Sequence, residues 1–235
     1  MVHELGHGLA ACRWGDPTAL EEGRITLRPS AHLEPIGAFL VPAVSALLTL
    51  VAGVGMVFGW GRPVPVNPDR LREPRRDSVK VALAGPVSSL VLLYLSSLAL
   101  AGVAALFLAV GPAGRLDLAS VPLAWLEKPA VEGAAGGWYV AFTVLRWSLL
   151  INSFLVAGNL LPFLPLDGGW LVRLSLPRPW RNRLELLQTL SLPALALLLA
   201  TGWAAVLLWP VALLWYVSMA PAAWLNGLPL PELLG

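Results

Sequence analysis

The chain has 235 residues, 57% of them hydrophobic and only 13% charged, and its mean hydropathy is +0.72. A water-soluble domain carries roughly a quarter charged residues, so the composition excludes an ordinary soluble enzyme and points to an integral membrane protein. The formal net charge of +2 comes from short basic loops, not one long run, which argues against a nucleic-acid partner and for positive-inside loop charge.

The first element is a helix over about residues 1–11. It carries His3-Glu4-Leu5-Gly6-His7, an HExxH sequence. The i, i+4 spacing puts both imidazoles on one face, one turn apart, where they can grip one cation. Glu4 between them is the candidate base that activates water. Two histidines satisfied by packing alone is the weaker reading, because ionisable groups in apolar helices are expensive. With almost nothing ahead of His3, residues 1–11 read as the cytoplasmic end of a longer membrane helix whose first half is absent from this chain. No signal peptide is evident. Cys12, the single cysteine, allows no internal disulfide and no thiolate zinc site.

Residues 12–34 form a polar connection with turns at Gly15-Asp16-Pro17 and Glu22-Gly23. Arg24-Ile25-Thr26-Leu27 alternates in β fashion, so a short strand or β hairpin is expected there. An apolar stretch follows at Ile36–Trp60. Residues 61–80 carry four prolines and six basic residues and are not one continuous helix. Further apolar stretches run over Val81–Val110, Trp138–Pro165 and about Leu186–Leu225, each of the roughly 20 residues a bilayer needs, or longer. Between them lie a Gly-, Ala- and Pro-rich segment at 111–137 and a basic segment at 171–183. The fold class is therefore an all-α polytopic membrane protein, filling 1–235 as a single domain.

Catalytic zinc sites take three protein ligands, so His3 and His7 need a partner. Asp167 is the stronger candidate: it lies in Asn159-Leu160-Leu161-Pro162-Phe163-Leu164-Pro165-Leu166-Asp167-Gly168-Gly169, which ends an apolar segment, where two prolines break the helix and the glycines permit a tight turn. Broken backbone at membrane depth lines a cavity or is buried in protein. The alternative is that Asp167 only caps the next segment.

HELGH, the central Ala84-Gly85-Pro86 and the Asn159-to-Gly168 block together resemble the site-2 protease family of intramembrane zinc metalloproteases. Gly15-Asp16-Pro17-Thr18-Ala19, Gly23-Arg24-Ile25-Thr26-Leu27, His32-Leu33-Glu34-Pro35-Ile36-Gly37 and Gly59-to-Asn67 look like its compact bacterial subgroup, which lacks PDZ and CBS modules. The resemblance covers residues 1 to about 175. It implies one zinc ion held by His3, His7 and Asp167, with Glu4 as catalytic base. It also implies Asn159 beside the scissile peptide, donating to the substrate carbonyl or its oxyanion. Ser89 and Arg28 stand where many members have Asn.

The expected activity is hydrolysis of a transmembrane protein substrate near the cytoplasmic face, in the bilayer of a bacterial cell membrane. An inactive homologue acting as a membrane scaffold is the alternative, and a metal transporter a third reading. His32 is read as a cavity-rim or structural group, and Arg146 as snorkelling or in a buried polar contact. The site also makes a demand on topology. The loops after His7 and after Asp167 must share a face, so 36–60 is expected to enter and leave the membrane on the same side. Loops 12–34, 61–80 and 171–183 then hold thirteen basic residues together, against two in 111–137.

Overall fold

The structure is a computed structural model, and it describes residues 1–52, 59–110, 115–116, 131–132, 137–162, 166–177, 179–181 and 204–226. These are mostly helical: α1 (Val2–Arg13), α2 (Thr18–Glu21), α3 (Val41–Ala52), α4 (Pro74–Val110), α5 (Gly137–Asn159), α6 (Asp167–Ser175) and α7 (Ala204–Leu225). A two-residue antiparallel ladder joins β1 (Arg115–Leu116) to β2 (Val131–Glu132), pairing Arg115 with Glu132. Two helices, α4 and α5, are long and apolar enough to cross a membrane. The chain divides into two compact units, Met1–Gly85 and Pro86–Gly235.

In the N-terminal unit, α1 ends at Trp14, and Gly15 turns the chain with φ of 112°, a value glycine adopts without Cβ strain. Asp16 follows, fully buried. Its carboxylate accepts from the Thr18 hydroxyl and from the backbone N–H groups of Thr18 (3.0 Å) and Asn67 (2.6 Å). Arg70 reaches the same corner, donating to Thr18 Oγ1 at 3.1 Å and to Glu21 at 2.6 Å. Ala11, Leu71 and Val81 form the small core beneath, with Trp14 and Val66 packed on it.

The strand expected over residues 24–27 is not formed. The alternation arises because Arg24 turns inward, where it donates to the Arg62 and Pro63 carbonyls at 2.8 and 3.1 Å. Thr26 N–H closes back on the Arg24 carbonyl at 3.0 Å, which bends the backbone instead of extending it.

Beyond a 3₁₀ turn at Pro29–Ala31, Glu34 starts the next helix by accepting the Gly37 N–H at 2.5 Å. That helix opens with a π turn at Ile36–Leu40 and continues as α3. Phe39, Leu40, Val44, Leu47 and Leu50 on it are exposed. The chain comes back to where it left: Trp60 N–H donates to the Gly37 carbonyl at 3.1 Å, and Arg62 N–H to the His32 carbonyl at 2.8 Å. Both glycines are needed for this approach. A Cβ on Gly37 would meet the Trp60 ring and carbonyl, and one on Gly59 would lie 2.7 Å from the Gly37 oxygen. The ends of 37–60 therefore lie side by side. Residues 61–67 then run without regular secondary structure, a 3₁₀ turn covers Pro68–Arg70, and α4 begins at Pro74, a residue suited to a first helical position, ahead of the apolar stretch read from Val81.

In the C-terminal unit, α4, α5 and α7 bury Leu93, Leu100, Ala101, Ala104, Phe107, Phe142, Leu149, Trp215, Met219 and Ala222 together. Phe107 meets Phe142 edge to face at 5.6 Å. Hydroxyls sew the helices in the manner of membrane bundles: Ser96 to Ser148 at 2.8 Å, and Ser97 donating to the Ser218 carbonyl at 2.5 Å. Of the stretch 186–225, residues 186–203 lie outside the described residues. The remainder is α7, with Pro210 and Pro221 inside it.

Candidate metal centre

The HExxH sequence lies in the first two turns of α1. His3 and His7 meet edge to face, with ring centroids 4.8 Å apart and Nε2 atoms 3.2 Å apart. Two imidazole nitrogens on one tetrahedral zinc, each about 2.0–2.1 Å from the ion, are separated by about 3.3 Å. The spacing fits a shared ion. His7 Nδ1 lies 2.7 Å from the Val81 carbonyl oxygen, to which it donates. That bond puts the ring proton on Nδ1 and leaves the Nε2 lone pair turned toward His3, the tautomer a metal ligand needs.

Gly85, on α4, completes the cradle. A Cβ there would fall on His7 Nε2 and lie 2.7 Å from His3 Nε2. The space over that glycine belongs to the two imidazoles. Glu4 points to another side of the helix, where its Oε2 accepts the Val64 N–H at 2.9 Å. Val64 also packs at Gly8, one turn further along: a Cβ on Gly8 would meet Val64 Cγ1 at 3.2 Å. Val64 thus lies against the Glu4–Gly8 face of α1.

In the C-terminal unit, Asp167 is half-buried and opens α6. Gly168 and Gly169 are buried in the first turn of that helix; they do not form the turn expected of them. The reason for Gly168 is close approach, since a Cβ would collide with the Leu160 and Leu161 carbonyl oxygens. Asn159 is the last residue of α5 and uses one amide hydrogen on the Leu155 carbonyl at 3.0 Å.

The family model for Peptidase family M50, the site-2 proteases, matches residues 1–200, most of the chain. The chain belongs to that family. A relative in Bacillus subtilis (strain 168), named "Putative zinc metalloprotease YwhC", is 30% identical over 210 residues, covering 89% of this chain and 80% of its own length. No solved structure matches.

For an M50 peptidase, two further polar residues now have places. His32 is buried, and its Nε2 donates to the Thr26 carbonyl 2.8 Å away, within the 24–32 loop. Arg146 is 5% exposed on α5, which favours the buried polar contact over snorkelling. Sequence reasoning missed the groups that serve the motif through their backbone. The Val81 carbonyl orients His7 and the Val64 N–H holds Glu4, yet neither valine side chain advertises it. Gly85 did carry a signal, since Ala84-Gly85-Pro86 stood out as a motif.

Proposed function

We propose that this M50 peptidase is an intramembrane zinc metalloprotease that hydrolyses membrane-embedded protein substrates near the cytoplasmic face. The observation that carries this reading is the His3–His7 pair, its Nε2 atoms 3.2 Å apart over a glycine with no room for a side chain. The name of the Bacillus relative is in keeping with it. One zinc per chain would be held by His3, His7 and Asp167. When bound, zinc supplies Lewis acidity that polarises the scissile carbonyl and makes water a competent nucleophile at neutral pH.

Glu4 then takes the proton of the attacking water and returns it to the leaving amine. Its hydrogen bond from Val64 fixes one carboxylate oxygen and leaves the other for that proton. Asn159 keeps one amide hydrogen for the substrate carbonyl or its oxyanion, the other being held by Leu155. The protein is placed, in this reading, as a multi-pass protein of the bacterial cell membrane. Because the ends of 37–60 meet, the basic loops 12–34, 61–80 and 171–183 share the cytoplasmic side in this reading.

Purified protein reconstituted with a model transmembrane substrate tests the reading. The wild type should cleave it. Glu4→Gln should keep its zinc and lose at least about 10²-fold in rate, the scale of general acid–base catalysis. Equal cleavage by Glu4→Gln would refute the mechanism, and zinc binding without any cleavage by the wild type would favour a scaffold.

A further inference from the structure

Arg24 is 5% exposed, and none of the ion pairs among the described residues includes it. A buried cation without a carboxylate partner is expensive, so what it touches is informative. One of its terminal nitrogens donates to two consecutive carbonyls, Arg62 at 2.8 Å and Pro63 at 3.1 Å. The Pro63 carbonyl and the Val64 N–H belong to one planar peptide group, and that N–H is the donor to Glu4 Oε2 at 2.9 Å. A single amide therefore has a guanidinium on its oxygen and the HExxH carboxylate on its hydrogen.

We propose that Arg24 is a positioning residue for Glu4, acting through the Pro63–Val64 peptide group. The proposal rests on the proteolytic reading above. A cation on an amide oxygen draws electron density from nitrogen and strengthens the N–H as a donor, the cooperativity expected of hydrogen-bond chains in a low-dielectric interior. Arg24 also fixes the plane of that amide by holding two carbonyls in succession. The segment carrying it is pinned on both sides, by Arg62 N–H on the His32 carbonyl at 2.8 Å and by Asn67 N–H on Asp16 at 2.6 Å. Pro63 and Pro65 fix φ on either side of Val64. The consequence is one carboxylate rotamer, held ready with no contact between Arg24 and substrate.

The test compares Arg24→Gln, Arg24→Lys and Val64→Pro in purified zinc-loaded protein. It reads kcat and KM on a model transmembrane peptide, zinc per chain, and amide hydrogen exchange in peptides spanning residues 60–67. Arg24→Gln should lower kcat tenfold or more, with KM within twofold, zinc retained and exchange at Val64 accelerated. Arg24→Lys, which keeps the charge on at least one carbonyl, should recover much of the lost kcat. Val64→Pro deletes the N–H while leaving the Pro63 carbonyl to Arg24, and should lose as much kcat as Arg24→Gln.

Unchanged kcat in Arg24→Gln or in Val64→Pro would overturn the proposal. So would equal losses of kcat and zinc in the Gln and Lys variants, the mark of a merely structural arginine. Absence of cleavage by the wild type would count against the proteolytic reading alone. Exchange at Val64 would then still decide the link, and a wild-type rate in Arg24→Gln would break it.

Discussion

A methyl group on Gly85 would occupy the space of the two histidine Nε2 atoms. Gly85→Ala should therefore weaken zinc binding by about 10–100-fold, the range seen when groups supporting a metal ligand are altered, while the helix gains slightly in propensity. Metal titration alongside a thermal melt separates the two effects. Asp16 makes a different prediction. Burial alone raises its carboxyl, but hydrogen bonds from the Thr18 hydroxyl and the Asn67 and Thr18 amides, with the Arg70 charge, outweigh this and hold it below the usual carboxylate range. The folded state thus binds this proton more weakly than the unfolded chain. The resulting stabilisation is fully present above about pH 4 and is lost as pH falls through the lowered folded value. Asp16→Ala should cost about 2–3 kcal/mol at pH 7, and the gap from wild type should narrow in melts taken below about pH 4.

The segment from Gly37 to Trp60 shows how elements set the topology. Hydropathy gives it the length of a span, yet its ends are hydrogen bonded to each other. Cysteines placed at Ser30 and Arg62, in a chain whose Cys12 is replaced by alanine, should both react with a membrane-impermeant reagent from the cytoplasmic side. Labelling from opposite sides would show that the segment crosses once. Apolar runs and prolines made most helices legible, since bilayer length and the missing proline N–H act through composition. The β reading of 24–27 failed for a physical reason: alternation records which side chains turn inward, and Arg24 turns inward to bind carbonyls, not to join a sheet.

At the level of the whole molecule, the pairing of His3 with His7 was legible because an i, i+4 spacing puts two side chains on one helix face. The supports of the site were not, because Val81 and Val64 act through main-chain atoms that any residue carries. The central claim is that His3, His7 and Asp167 together hold one zinc ion. Metal analysis of the purified wild type, His7→Ala and Asp167→Ala tests it most directly. The account predicts one zinc per chain in the wild type and a loss of about 10²-fold or more in affinity in each variant, with all three proteins still folded. An Asp167→Ala protein that keeps one zinc at wild-type affinity would contradict it.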